Sequence, residues 1–214
     1  MTIKRSTIIC VIIVLLEIIA AVALFSLLPD KIPIHWNAFG EIDGYGGKAS
    51  IFLMPGISAA VTLLLLLVPK IDPLGKNILR AEKAYSATLL SVISLLAVVF
   101  AVTVLAAFGI PLAADKIIFA AVGALLMIIG NYLPLAKRNY MFGIRTPWTL
   151  ANDEVWMKTH RFGGVIFFIM GVLFIAACIL NAPLNFIIPL AGTLIGIVWL
   201  FIYAYVTYKK TVKE

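Results

Sequence analysis

Six apolar runs occupy most of this chain: Ser6–Leu28, Ile51–Val68, Ala84–Phe108, Ile117–Leu135, Val165–Leu180 and Phe186–Tyr205. The charged residues fall almost entirely between them. About 20 apolar residues are needed to cross the roughly 30 Å hydrocarbon core of a bilayer as a helix. A helix also satisfies its own backbone hydrogen bonds in lipid. The pattern therefore predicts an all-α integral membrane protein with six transmembrane helices. The second and fifth runs are the shortest, so their ends are the least defined. With so little sequence outside the spans, residues 1–214 read as a single polytopic domain. Its two loops of substance are residues 29–50 and 136–164.

The distribution of cations orients this arrangement, because Lys and Arg are retained on the cytoplasmic side. With the N-terminus inside, fourteen cations are internal: Lys4, Arg5, Lys70, Lys76, Arg80, Lys83, Lys137, Arg138, Arg145, Lys158, Arg161, Lys209, Lys210 and Lys213. Lys31, Lys48 and Lys116 alone fall outside. Both termini are expected in the cytoplasm, with residues 29–50 outside and 136–164 inside. Composition agrees with a membrane chain: 63% of residues are hydrophobic, 13% are charged, and the mean hydropathy is +1.11. Soluble chains have about 45–50% apolar and about 25% charged residues. The net charge of +7 follows from the sidedness bias and suits anionic lipid headgroups. It calls for no nucleic acid.

Lys4-Arg5 before an apolar run, with Ala21-Val22-Ala23 beyond it, mimics a secretory signal. The run continues to Leu28, longer than the roughly 7–15-residue core of such signals, and reads as an uncleaved helix. Cys10 and Cys178 fall near opposite ends of their spans, too far apart for a disulfide, whose Cα atoms lie within about 7 Å. Gly192 and Gly196 form a G-x-x-x-G, which serves close packing within the bundle or a homo-oligomer contact. Glu17 is the one carboxylate in the middle of a span. Such a residue faces the bundle interior or water. It is either a proton- or ligand-linked site or a buried hydrogen-bonding group, with Asn131, Tyr132 or Ser91 as candidate partners.

The outer loop is rich in turn formers, and Asp43-Gly44 is its strongest turn signal. Ile32-Pro33-Ile34-His35-Trp36 reads as extended, since a residue before Pro avoids the helical region. Successive side chains then alternate, sending His35 and Trp36 to opposite sides. A ligand arriving from outside meets His35, Trp36, Asn37 and Asp43 first; a plain turn with an interfacial Trp anchor is the other reading. His35 with Glu41 and Asp43 is an incomplete metal set. The two His fall on opposite faces of the membrane, and no motif pairs either with a Ser or Cys nucleophile. No phosphate-binding G-x-x-x-x-G-K-[ST] is present. The sequence implies no cofactor and no enzyme activity.

The inner loop is the most distinctive segment. Gly143 to Gly164 holds three cations, two Trp, one His and two acids. Thr146-Pro147 suits a helix N-cap followed by Pro at the first helical position. Asn152 before Asp153-Glu154 is a second helix start, with acids facing the positive end of the dipole. A helix over residues 153–162 sets Trp156 and His160 one turn apart on one face, beside a stripe of Val155, Thr159 and Phe162. Gly163-Gly164 would then be a flexible corner or hinge. Arg145 and Arg161 could bind phosphate or carboxylate bidentately, and Trp148, Trp156 and Arg161 are residue types that dominate binding hot spots.

This inner segment closely resembles the C-terminal signature of the SdpI family, bacterial membrane proteins linked to immunity against secreted toxic peptides. Leu28-Pro-Asp-Lys-Ile-Pro-Ile-His-Trp-Asn37, followed by Gly40 and Asp43, resembles the short domain of unknown function that opens many such chains. The resemblance implies a multi-pass protein of the bacterial plasma membrane, a secreted toxic peptide as ligand, and a winged-helix repressor held at the cytoplasmic face. It carries over to His35, Trp36 and Asn37 outside, and to Asn131, Gly143, Arg145, Thr146, Pro147, Trp148, Val155, Trp156 and Arg161 inside. The Gly-rich stretch Glu41–Gly47 departs from the founding member's loop. The alternative is a small transporter or lipid-phosphate-binding protein, with Glu17 in a translocation path and Arg145, Arg161 and Trp148 on a lipid phosphate.

Overall fold

The structure, a computed structural model, describes residues 2–212. Lys213, one of the expected inner cations, and the two terminal residues Met1 and Glu214 lie outside that range. Among the described residues, six helices are long and apolar enough to cross a membrane, as the sequence predicts. They are α1 (Ile3–Leu24), α2 (Leu53–Ile71), α4 (Glu82–Ala107), α5 (Ala114–Tyr132), α7 (Asp153–Ala177) and α8 (Leu184–Val212). Two short helices, α3 (Gly75–Arg80) and α6 (Pro147–Ala151), lie in the connections at one end. At the other end, β1 (Lys31–Trp36) and β2 (Ile42–Gly47) form an antiparallel hairpin.

The spans pack as two groups of three. In the first, α1, α2 and α4 share a core of Cys10, Val14, Leu89 and Ile93, extended toward the hairpin by Ala21, Leu28, Ile32, Ile51 and Phe100. In the second, α5 packs along α7, and α7 along α8. The groups meet through α4 and α5.

The α5–α7 seam is built on glycine. A Cβ on Gly130 would lie 2.6 Å from the Gly164 carbonyl oxygen, and one on Gly171 would lie 2.6 Å from that of Gly123. Small residues let membrane helices approach this closely. Gly163-Gly164 is therefore no corner: α7 runs unbroken through both, and the expected hinge gives way to a packing contact. Gly192 and Gly196 face Leu173, Ile166 and Met170 of α7, the within-bundle use of the G-x-x-x-G.

Glu17 is 4% exposed and forms no salt bridge among the described residues. Its neighbour is the Ser58 hydroxyl of α2, rather than Asn131, Tyr132 or Ser91. Asn131 is exposed on α5, and Ser91 donates to the Thr88 carbonyl. Cys10 and Cys178 are free thiols.

Candidate functional site

At the hairpin end, the turn sits at Asn37–Gly40, and Asp43-Gly44 lies within β2. Asn37 makes the turn. Its side-chain oxygen accepts from the Phe39 and Glu41 amides at 2.9 and 3.1 Å, and its amide nitrogen donates to the Glu41 carboxylate at 3.0 Å. Gly40 completes it with φ +78°, a conformation glycine adopts without a Cβ clash. The expected turn at Asp43-Gly44 loses to this local network. Asp43 is instead held across the ladder, 2.5 Å from Nδ1 of His35, and both side chains are exposed.

The hairpin leans on the second helix group. A Cβ on Gly40 would lie 3.0 Å from Cγ of Asp115, in the first turn of α5, and Asp115 accepts from the Asn185 amide of α8 at 3.0 Å. Beside this contact, His35, Trp36 and Asn37 line a cleft of about 350 Å³ whose far wall is Phe119 and Phe186. Three of the four outer candidates thus share one cavity, and Asp43 reaches it through His35.

At the opposite end, residues 136–152 form a cap fastened by buried polar side chains. Asn139, fully buried, donates to the Lys137 and Phe142 carbonyls at 2.8 Å each. Its oxygen accepts from the Met141 and Phe142 amides. Thr146 and Thr149 form a capping box that starts α6 with Pro147 in its first turn, as the Thr-Pro pair predicts. Thr149 also donates to the Ile144 carbonyl at 2.9 Å. Asn152 caps α7 by accepting from the Glu154 and Val155 amides.

Trp156 and His160 lock the cap to α7. Trp156 is 2% exposed and donates from its indole nitrogen to the Ala136 carbonyl at 2.9 Å. His160 is fully buried and stacked on Trp156, with ring centroids 4.0 Å apart. The Ile144 amide donates to His160 Nε2 at 2.9 Å, so that nitrogen carries no proton; Nδ1–H donates to the Trp156 carbonyl at 2.8 Å. Both ring nitrogens are committed, which leaves no free base or metal ligand. Gly143, at φ +109°, passes directly over the ring: a Cβ there would lie 2.5 Å from Nε2. The same-face pairing of Trp156 and His160 holds, but Trp156 offers no surface to a partner. Val155 is likewise fully buried.

Arg145, Trp148 and Arg161 do not converge. Arg145 donates to the Tyr140 carbonyl at 2.8 Å, while Trp148 meets Tyr205 of α8 edge-on at 5.2 Å. Arg161 projects into a separate basic cleft with Arg80 and Lys83. Sequence reasoning missed Asp72, Asn77, Arg138, Asn139 and Thr149. Asp72 accepts from the Tyr140 amide at 2.8 Å, and Asn77 donates to the Arg138 carbonyl at 2.8 Å, tying the first helix group to the cap. Arg138 pairs with Asp153 at 2.7 Å and donates to the Leu150 carbonyl. The available signal was the presence of turn-forming Asp72 and Asn139 at the ends of apolar runs.

No solved structure matches the chain. The SdpI/YfhL protein family matches residues 136–205, which cover the cap, α7 and most of α8. A domain of unknown function, DUF1648, matches residues 12–59, which cover most of α1, the hairpin and the start of α2. The chain is 28% identical over 207 residues to the immunity protein SdpI of Bacillus subtilis (strain 168), spanning 96% of this chain and 97% of that one. It is a multi-pass bacterial membrane protein whose cap, α7 and most of α8 match the SdpI/YfhL family model, joined to a segment that matches DUF1648, and it is similar to an immunity protein from end to end.

Proposed function

We propose that this chain is a membrane immunity protein that binds a secreted toxic peptide at its hairpin end and passes the signal to a winged-helix repressor at its cap. The observation that carries the reading is the outer cleft, where His35, Trp36 and Asn37 of the DUF1648 segment face Phe119 and Phe186 of the second helix group. Aromatic walls with a few fixed polar groups suit an amphipathic peptide. The end-to-end likeness to an immunity protein supports the function.

In this reading the hairpin faces outward and both termini lie in the cytoplasm. The surface offered to a repressor is Arg145, Pro147 and Trp148 rather than Trp156. Survival of a sensitive bacterium, with and without the chain, against peptides secreted by the source organism tests the proposal. Protection that Trp36→Ala or Phe186→Ala abolishes at normal membrane levels supports it; equal killing with and without the chain overturns it.

A further inference from the structure

The junction of the two helix groups carries a feature independent of the toxin reading. Between α4 and α5 runs a groove of about 480 Å³, walled by Ala87, Leu90 and Leu95 on one side and Ala124, Leu125 and Ile128 on the other. It extends along α4 from Lys83 to Val98, fifteen residues or about 22 Å of helix. One leaflet's share of the hydrocarbon is about 15 Å. The groove is therefore long enough to hold an acyl chain that enters at the cap end.

At that end lies a second cleft, of about 840 Å³, and Lys83 lines both. Its charged residues are Arg80, Glu82, Lys83, Lys137, Arg138, Asp153 and Arg161. Arg138 is consumed by Asp153 and the Leu150 carbonyl. Among the described residues, Arg80, Lys83, Lys137 and Arg161 make no salt bridge. Against them stands Glu82 alone, so the cleft is strongly cationic at the level where headgroups lie. Two arginines in one cleft suit a phosphate, which they can grip bidentately.

We propose that this composite site holds an anionic glycerophospholipid from the leaflet on the cap side, with one acyl chain in the α4–α5 groove and the phosphate between Arg80, Lys83 and Arg161. The site joins the two helix groups at their meeting line, so the lipid acts as a third element of that interface. Charge complementarity chooses this occupant over a zwitterionic lipid, which brings no net charge to the cleft, and Lys83, in the lining of both cavities, sets the headgroup site beside the groove.

Native mass spectrometry of the full chain, released from detergent with added phosphatidylglycerol or phosphatidylcholine, tests the proposal. Phosphatidylglycerol should be retained with a preference of about tenfold or more, since each cation near a membrane surface favours an anionic lipid by several-fold. Arg80→Gln combined with Arg161→Gln should remove the preference. Ala124→Phe, which fills the groove and leaves the cations in place, should reduce retention of both lipids. Equal retention of the two lipids by the parent, a preference that survives the double-arginine substitution, or retention unchanged in Ala124→Phe overturns the proposal. So does full displacement by glycerol phosphate at equal concentration, which would mark a site for free phosphate. If the double-arginine variant does not fold, the parent's preference and the retention by Ala124→Phe decide together.

Discussion

Nε2 of His160 accepts the backbone amide of Ile144 sixteen residues upstream, at 2.9 Å, and so fixes a neutral imidazole with its proton on Nδ1. The ring works here as a backbone clamp: it receives one chain segment, holds another and stacks on Trp156.

Replacing His160 with Phe keeps the stack and deletes both polar contacts. The Ile144 amide, in a part-buried contact, is then left without its acceptor, at a cost of about 1–3 kcal/mol. Gly143→Ala should be at least as damaging, because it demands a Cβ both at φ +109° and against the imidazole. Thermal unfolding in detergent measures both. Unchanged midpoints would show that the clamp carries no stability.

The two glycine contacts between α5 and α7 predict a steep size dependence. Gly130→Ala should lower the yield of folded protein, and Gly130→Val should abolish it, because the obstacle is the Gly164 backbone and the Phe168 amide rather than a flexible side chain. Gly56→Ala, where a Cβ meets nothing within 4 Å, is the matched control and should be neutral. The ratio of monodisperse to aggregated protein on size-exclusion chromatography reads the effect.

Glu17 should tolerate Gln far better than Lys. Among the described residues the carboxyl has no ion-pair partner to lose, and Gln keeps its polar reach toward Ser58. Lys brings a charge whose insertion costs about 2.5–3.5 kcal/mol at a helix centre. Membrane levels of the two variants, compared by immunoblot, give the test. A Glu17→Gln chain at normal levels that loses protection would assign the carboxyl a proton-linked role instead.

The sidedness proposed from the cations is checked by reporter fusions. A reporter active only in the cytoplasm should work after Lys83 and after Lys210 and stay silent at Gly46. Activity at Gly46 would invert the assignment of the hairpin and cap.

The six spans were legible because length and hydrophobicity alone define a membrane helix. The join between one helix and the next was not: the helix that Asn152 starts at Asp153 runs on unbroken into the apolar run at Val165, where Gly163-Gly164 had read as a corner. The Thr146 and Asn152 caps were readable because a cap is a contact between near neighbours. The hairpin turn was misplaced because Asn37-Gly40 and Asp43-Gly44 both carry turn chemistry, and only the pairing of β1 with β2 chooses between them. Trp156 reads as a binding hot-spot residue until its N–H is seen to meet the Ala136 carbonyl. The ties of Asp72 and Asn77 to residues 138–140 span more than sixty positions, and no local pattern encodes them.

The glycine seam also limits how the molecule can move. With backbone meeting backbone at Gly130 beside Gly164 and again at Gly123 beside Gly171, α5 and α7 engage like two teeth of a closed zip. Sliding one past the other would drive a carbonyl or side chain into each notch, so the pair travels as a single beam. Any tilt of one helix group against the other must then be taken up at the α4–α5 line. Above that line the hairpin rests on Asp115 like a latch on its keeper, and below it Asp72 and Asn77 are bolted to the cap. A force that lifts the latch pivots the beam about those lower bolts.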